Sequence, residues 1–367
     1  MNVVEMWKVI GAMVGVEFGF ALVNILFKKA LSAGTDRLII LVYRQSISAV
    51  FLIPFVCFWE RSSWAKLTVG VTAQMFLCAL LGLTLTQYLF LVGLDYTSAT
   101  FTCAFINMVP VITFVLALPL GMEKVKMKSK SGKAKVFGTL TCAIGALILC
   151  LYKGIPVTNP GHIVENRQRA KGYGPGSAYL SAGSLAWSSW FLIQSRIGQN
   201  FPHRYSSTSI MSFFSAIQSA VLCFITDRNM SKWILQGELQ ILSVIYSGIV
   251  GSGLCYVVMS WCVKLRGPVF TSAFSPLIQI FAAVLDVLVL HEEIYLGRLS
   301  ISRYSYLYTI RFSSMKNHDD LYGFLSFSWK TTSNVMISAV SILLEQHFRI
   351  RSGHTGHVCA SLGQKQG

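Results

Sequence analysis

Acidic residues are scarce in this chain: 15 Asp and Glu stand against 31 Lys and Arg, and charged residues of both signs make up only 13% of the 367 positions. A soluble domain of this length cannot clothe its surface with so few charges. The nine cysteines stand singly, mostly inside apolar runs (Cys78, Cys103, Cys142, Cys150, Cys255), with neither paired metal-ligand spacing nor the pattern of a disulfide framework. No nucleotide-binding loop is present. His291-Glu292-Glu293 lacks the second histidine of a zinc-protease helix. Gly251-Ser252-Gly253 lacks the surroundings of a nucleophile elbow, and its small residues read instead as close helix packing. These absences exclude familiar enzyme classes, so no catalytic residue, metal site or cofactor is expected. The net charge of +16 would suit nucleic acid, but the basic residues sit in short loops and the tail, as in membrane proteins, and no nucleic-acid partner is expected.

What is abundant is apolar sequence, 53% of the chain, with a mean hydropathy of +0.57. A bilayer is crossed by about 20 apolar residues in a helix, because backbone polar groups must be satisfied internally. Runs of that kind fall near 9–31, 38–58, 71–94, 98–121, 136–152, 176–195, 207–226, 239–263 and 268–290, nine candidate spans. The first has no small-residue cleavage site and reads as a retained span. The predicted fold class is therefore an all-α polytopic membrane protein. Lys124, Lys126, Lys128, Lys130, Lys133 and Lys135 follow span four and place that loop, and the N-terminus four spans back, in the cytoplasm, against the weaker pull of Lys28, Lys29 and Arg37. The sequon Asn229-Met230-Ser231 then falls on the outer or lumenal side.

An internal repeat appears when Phe101-Thr102-Cys103-Ala104-Phe105 is laid on Phe270-Thr271-Ser272-Ala273-Phe274; the same offset sets Gly82 on Gly251 and Glu123 on Glu292. Five helices per half would make equivalent helices run in opposite directions, an inverted repeat of the transporter kind. The Pro- and Gly-rich stretch 153–175 separates the halves. The expected organisation is a first half 1–152 with five spans, a linker 153–175, a second half 176–297 with four clear spans, and a basic tail 298–367.

Several motifs carry a family resemblance: Val42-Tyr43-Arg44-Gln45, Pro54-Phe55, Glu60-Arg61, Asn107-Met108-Val109-Pro110, Met122-Glu123-Lys124-Val125, Tyr205-Ser206-Ser207-Thr208, and the stretch Gly248 to Gly297 with Trp261-Cys262 and Arg266-Gly267-Pro268-Val269-Phe270. Over residues 6–297 the chain resembles plant nodulin-like EamA transporters of the drug/metabolite transporter superfamily, in the branch of Walls-Are-Thin-related proteins and amino-acid exporters. The resemblance implies ten helices in two inverted five-helix EamA repeats, and movement of amino acids, auxin or related metabolites across a plasma or vacuolar membrane. After Gly297 it stops. Arg298, Arg303 and Arg311 stand where a tenth apolar helix would run. Each would cost about 2.5–3.5 kcal/mol at mid-bilayer. That helix is expected to be missing or replaced, through an altered splice or gene model, which would leave an impaired carrier or a membrane scaffold as the alternative.

Polar groups inside spans are the candidate site. Measured down from the outer face at 1.5 Å per residue, Asn24 lies at roughly 10 Å, Arg44 at roughly 9 Å, Gln87 at roughly 10 Å and Asn107 at roughly 13 Å, one layer drawn from four helices. Arg44 suits a carboxylate, which its planar fork can grip with two hydrogen bonds, while the amides would orient the rest of the solute. Alternatively these groups bond one another and lock the helices together, or Arg44 snorkels outward. Glu17, two turns before Asn24, is either a proton-coupling group or a structural carboxylate. Pro110 is a hinge candidate, and its repeat-related Gln279 a pathway candidate. Trp187 and Trp190 either stack on an aromatic solute or pack the core.

Overall fold

The computed structural model describes residues 3–32, 34–61, 67–97, 99–122, 173–226, 233–235, 237–278, 281–282 and 285. Among the described residues the only regular elements are helices. In chain order they are α1 (Val3–Ser32), α2 (Arg37–Trp59), α3 (Val69–Cys78), a π-helical segment π1 (Ala79–Leu85), α4 (Thr86–Tyr96), α5 (Ala99–Ala117), α6 (Tyr173–Asn200), α7 (Arg204–Thr226), α8 (Glu238–Tyr246), π2 (Ser247–Leu254), α9 (Cys255–Arg266) and α10 (Pro268–Ser272). Among the described residues five helical stretches are long and apolar enough to cross a membrane: Trp7–Leu31, Arg37–Trp59, Val69–Tyr96, Arg204–Thr226 and Glu238–Arg266. The serine-rich α6 has 28 residues and covers the span expected at 176–195. The expected span 136–152, the loop lysines, the sequon, Glu123, Glu292 and the tail from Arg298 lie outside the described residues.

Local chemistry sets the helix ends. The Asp36 side chain caps α2 by accepting from the Leu38 N–H at 2.9 Å, and Thr68 caps α3 through Val71. At the other end of α2, the Glu60 carboxylate accepts from the Tyr205 and Ser206 N–H groups at 3.3 and 2.8 Å and from the Ser206 hydroxyl at 2.8 Å. One helix thus supplies the cap of another, and a carboxylate is favourable at the positive N-terminus of α7.

Residue pairing shows that α2 and α7 are antiparallel. Glu60 meets Ser206, Ala49 meets Ser209, and Ser48 meets Ser212, so one number falls as the other rises. Thr208, Ser212, Ser215 and Ser219 recur at spacings of four, three and four on α7 and are all fully buried. Small side chains there let the two backbones approach closely. Shifting α2 by 169 residues gives 206–228, close to α7; equivalent helices therefore run in opposite senses, as in an inverted repeat.

The same shift carries every described helix of the first repeat onto one of the second, down to the π segments. The Thr86 N–H bonds Leu81 O, and 169 residues later the Cys255 N–H bonds Val250 O, each reaching back five residues instead of four. Both segments hold a glycine against a large side chain of another span. A Cβ on Gly82 would stand 2.0 Å from Trp190 Cδ1, and one on Gly251 would stand 3.2 Å from Arg44 Nη2.

The two repeats are not separate lobes. Helix α1 packs on α8, π2 and α9 of the second repeat, and α2 on π2; α6 packs on α3, π1, α4 and α5 of the first, and α7 on π1. The largest buried cluster, including Met13, Met75, Trp190, Phe191, Tyr256 and Met259, forms where these exchanged helices meet.

Candidate functional site

Arg44 is the most consequential buried cation. It is 2% exposed, about two turns into α2. Its Nε donates to Ser252 Oγ on π2 at 2.6 Å, and its Nη1 donates to Gln87 Oε1 on α4 at 3.4 Å. The guanidinium carbon lies 5.5 Å from the ring centroid of Phe27 on α1, a cation–π arrangement. The glycine at 251 leaves the room that Arg44 Nη2 occupies. A guanidinium has five N–H donors; Ser252 and Gln87 take two, and the rest have no protein acceptor among the described residues. No carboxylate of the described residues pairs with it either. A fixed positive charge at this depth is held by neutral oxygens and one aromatic face.

Gln87 continues the cluster by interacting with the Tyr256 phenol on α9. These two positions differ by 169, so they are repeat equivalents meeting across the pseudo-two-fold axis. Beyond Tyr256 stands an aromatic wall: Trp190 and Trp187 lie edge-on to it at 5.3 and 6.0 Å, and stack on each other at 5.1 Å. Trp190 is fully buried, and its indole Nε1 has no hydrogen-bond partner among the described residues. The cluster therefore has a cation at one end and stacked rings at the other.

The four residues expected in one polar layer lie as follows. Arg44 and Gln87 are joined directly. Asn24 is exposed on α1, one turn from Phe27. Glu17, on the same face of α1, is 3% exposed, so that face is covered at Glu17 and open at Asn24. Asn107 is buried on α5, which packs on α4, α6 and α10. Helical rotation separates these groups, and depth along an axis does not record it. Trp187 is half-buried and reaches the cluster through Tyr256. Pro110 lies within the continuous helix α5, where Val109 O accepts from the Thr113 and Ser188 hydroxyls. Gln279 lies outside the described residues. Ser252 and Tyr256 were not among the expected site residues. The repeat offset held the signal for Tyr256, since it sets that residue on Gln87.

Comparison with known proteins gives consistent results. Residues 7–151 and 174–301 match the EamA-like transporter family. WAT1-related protein At3g30340 of Arabidopsis thaliana is 46% identical over 301 residues, 80% of this chain and 83% of that protein. WAT1-related protein At4g01440 of the same plant is 44% identical over 79% of this chain and 82% of its own. A crystal structure superposes with a TM-score of 0.58 at 16% identity, over 85% of this chain and 97% of its own, a likeness of fold. With two family matches that fall on the two structural repeats, the chain belongs to the EamA-like transporter family, as a multi-pass helical membrane protein.

Proposed function

We propose that this protein is a secondary carrier for small organic solutes bearing a carboxylate, amino acids, auxin or related metabolites, working by alternating access. The observation that carries this reading is Arg44: a buried guanidinium with spare donors and no anionic partner among the described residues. A carboxylate would supply the missing charge and accept two parallel hydrogen bonds from the fork. Gln87 and Tyr256 would contact the middle of the solute, and Trp187 would stack on a ring or cover an aliphatic chain. Asn24, exposed one turn from Phe27, would line the approach to Arg44. Asn107 and Gln279 would bind the solute in other positions of the cycle, with Pro110 as a hinge in α5 and Glu17 as the coupling group.

Alternation in this reading moves groups of helices drawn from both repeats, because the repeats exchange α1, α2, α6 and α7. The positively charged loop at 124–135 supports a cytoplasmic N-terminus, in either the plasma or the vacuolar membrane. The proposed organisation is two repeats, 1–152 and 176–297, with a linker at 153–175 and a basic tail from residue 298; family matches at 7–151 and 174–301 support the division into two halves. Arg298, Arg303 and Arg311 favour a second reading, a scaffold or impaired carrier lacking its tenth helix. Flux into proteoliposomes over a panel of amino acids and indole-3-acetate separates the two. Saturable uptake is expected of a carrier; none across the panel, with folded protein in the bilayer, would favour the scaffold.

A further inference from the structure

Arg37 and Asp95 form an ion pair that bridges the first residue of α2 and the last turn of α4. Neither charge suits its own helix. A cation at a helix N-terminus and a carboxylate near a C-terminus each stand at the pole that repels them. The cap of α2 is made by Asp36, which leaves the Arg37 guanidinium to Asp95. The two side chains are 40% and 47% exposed, so water competes for both, and a bridge of this kind exchanges partners easily.

The same two helices are joined a second time, by Arg44 and Gln87. Arg44 follows Arg37 by seven residues and Gln87 precedes Asp95 by eight. Each second partner thus lies about two turns, roughly 10–12 Å, further along the same helix face. One bridge is exposed at the helix ends, and the other holds the buried cation of the candidate site. Backbone packing between α2 and α4 is slight: α2 packs on α7, π2 and α8, and α4 on α6, π1 and α5. Their repeat equivalents differ, for α7 packs directly on α9. The positions equivalent to Arg37 and Asp95 are Ser206, held by Glu60, and Lys264, so no such ion pair joins α7 to α9 there. Inverted repeats alternate access by exchanging two such arrangements. The α2–α4 side is the one held apart in this structure, with long polar side chains spanning it.

We propose that Arg37 and Asp95 are the entry site to Arg44, and that their bridge opens by trading partners with an α-amino acid. The solute carboxylate takes Arg37, and its ammonium group takes Asp95. Both protein charges keep a partner through the exchange, and the carboxylate then passes two turns along α2 to Arg44. A monocarboxylate satisfies Arg37 but leaves Asp95 unpaired and repelling it, so entry favours zwitterions. The inference rests on the reading of Arg44 as the carboxylate site.

The test uses the full chain in proteoliposomes, with protein-free liposomes as background and two labelled probes of one shape. They are phenylalanine and 3-phenyllactate, which has a hydroxyl in place of the ammonium group. Initial rates give a KM for each. Phenylalanine should show the lower KM by about two- to fivefold, the scale of one exposed ion pair. Asp95→Asn should move the two in opposite directions, raising the KM of phenylalanine and lowering that of phenyllactate; a merely structural role would move both the same way. KM values that are equal in the unmodified chain, or lower for phenyllactate, would overturn the entry site. So would shifts of one sign, or none, in Asp95→Asn. In each of these cases saturable uptake that is lost in Arg44→Ala would leave Arg44 as the carboxylate site. No saturable uptake of either probe would overturn both. The comparison of probes in the unmodified chain decides by itself if the variant fails to fold.

Discussion

Arg44 takes its importance from how little of its bonding capacity the protein uses. Its two neutral acceptors hold the fork in place, and the remaining donors have no acceptor among the described residues. Lysine in its place keeps the charge as a single point and cannot reach Ser252 and a carboxylate together. Arg44→Lys should therefore lose one or two charge-assisted hydrogen bonds, roughly 1.5–3 kcal/mol. That corresponds to a rise of about 10- to 100-fold in the KM of a carboxylate solute, read as initial uptake rates in proteoliposomes. An unchanged KM would mean that the solute never meets the guanidinium. The sequence already marked Arg44 and Gln87, because ionisable and amide groups are rare inside apolar runs. It did not mark Ser252, which reads as a small packing residue until the structure shows a hydrogen bond to it from a helix 208 positions away.

At the scale of elements, each π segment packs a glycine closely against another span. Gly82 lies against the fully buried Trp190, and an added methyl group would overlap the indole. Gly82→Ala should destabilise the protein by about 1–3 kcal/mol, the range for overpacked sites. Gly251→Ala meets looser atoms, Val23 Cγ2 at 3.0 Å and Arg44 Nη2 at 3.2 Å. Its main effect should fall on uptake, through displacement of Arg44, with a smaller effect on melting. Thermal melts in detergent beside flux measurements separate the two, and equal melting losses would deny the difference in packing. The Glu60 cap of α7 gives a third expectation. Glu60→Ala should cost about 1 kcal/mol and Glu60→Gln less, because the amide keeps one acceptor for the Ser206 N–H. Equal melting temperatures for Glu60→Ala and the unmodified chain would show that the cap contributes nothing. Most of the described helices were legible as apolar runs with limits a few residues from the observed ones, whereas the expected span 268–290 is an α-helix only over Pro268–Ser272 and the span 136–152 lies outside the described residues. The π registers were not, since a one-residue widening of the hydrogen-bond ladder leaves no mark on hydropathy.

Across the whole molecule, one offset of 169 residues organises the architecture. It was visible in a handful of identities between Phe101-Thr102 and Phe270-Thr271, and in the structure it relates α2 to α7, π1 to π2 and Gln87 to Tyr256. The exchange of helices between repeats was not visible, because which helices touch depends on side-chain faces rather than on order along the chain. That exchange places Arg44 where spans of both repeats converge, so in the proposed reading any change in their relative arrangement would reach a solute bound there. The chemistry also stays asymmetric on a symmetric frame: the repeat position of Arg44 is Phe213, so only one repeat supplies the cation. The most direct measurement is uptake of labelled phenylalanine and indole-3-acetate into proteoliposomes holding either the unmodified chain or Arg44→Ala, with equal amounts of folded protein confirmed by melting. Saturable uptake of at least one of them by the unmodified chain, reduced about tenfold or more in Arg44→Ala, is the predicted result. Uptake that is the same in both would contradict the central role given to Arg44.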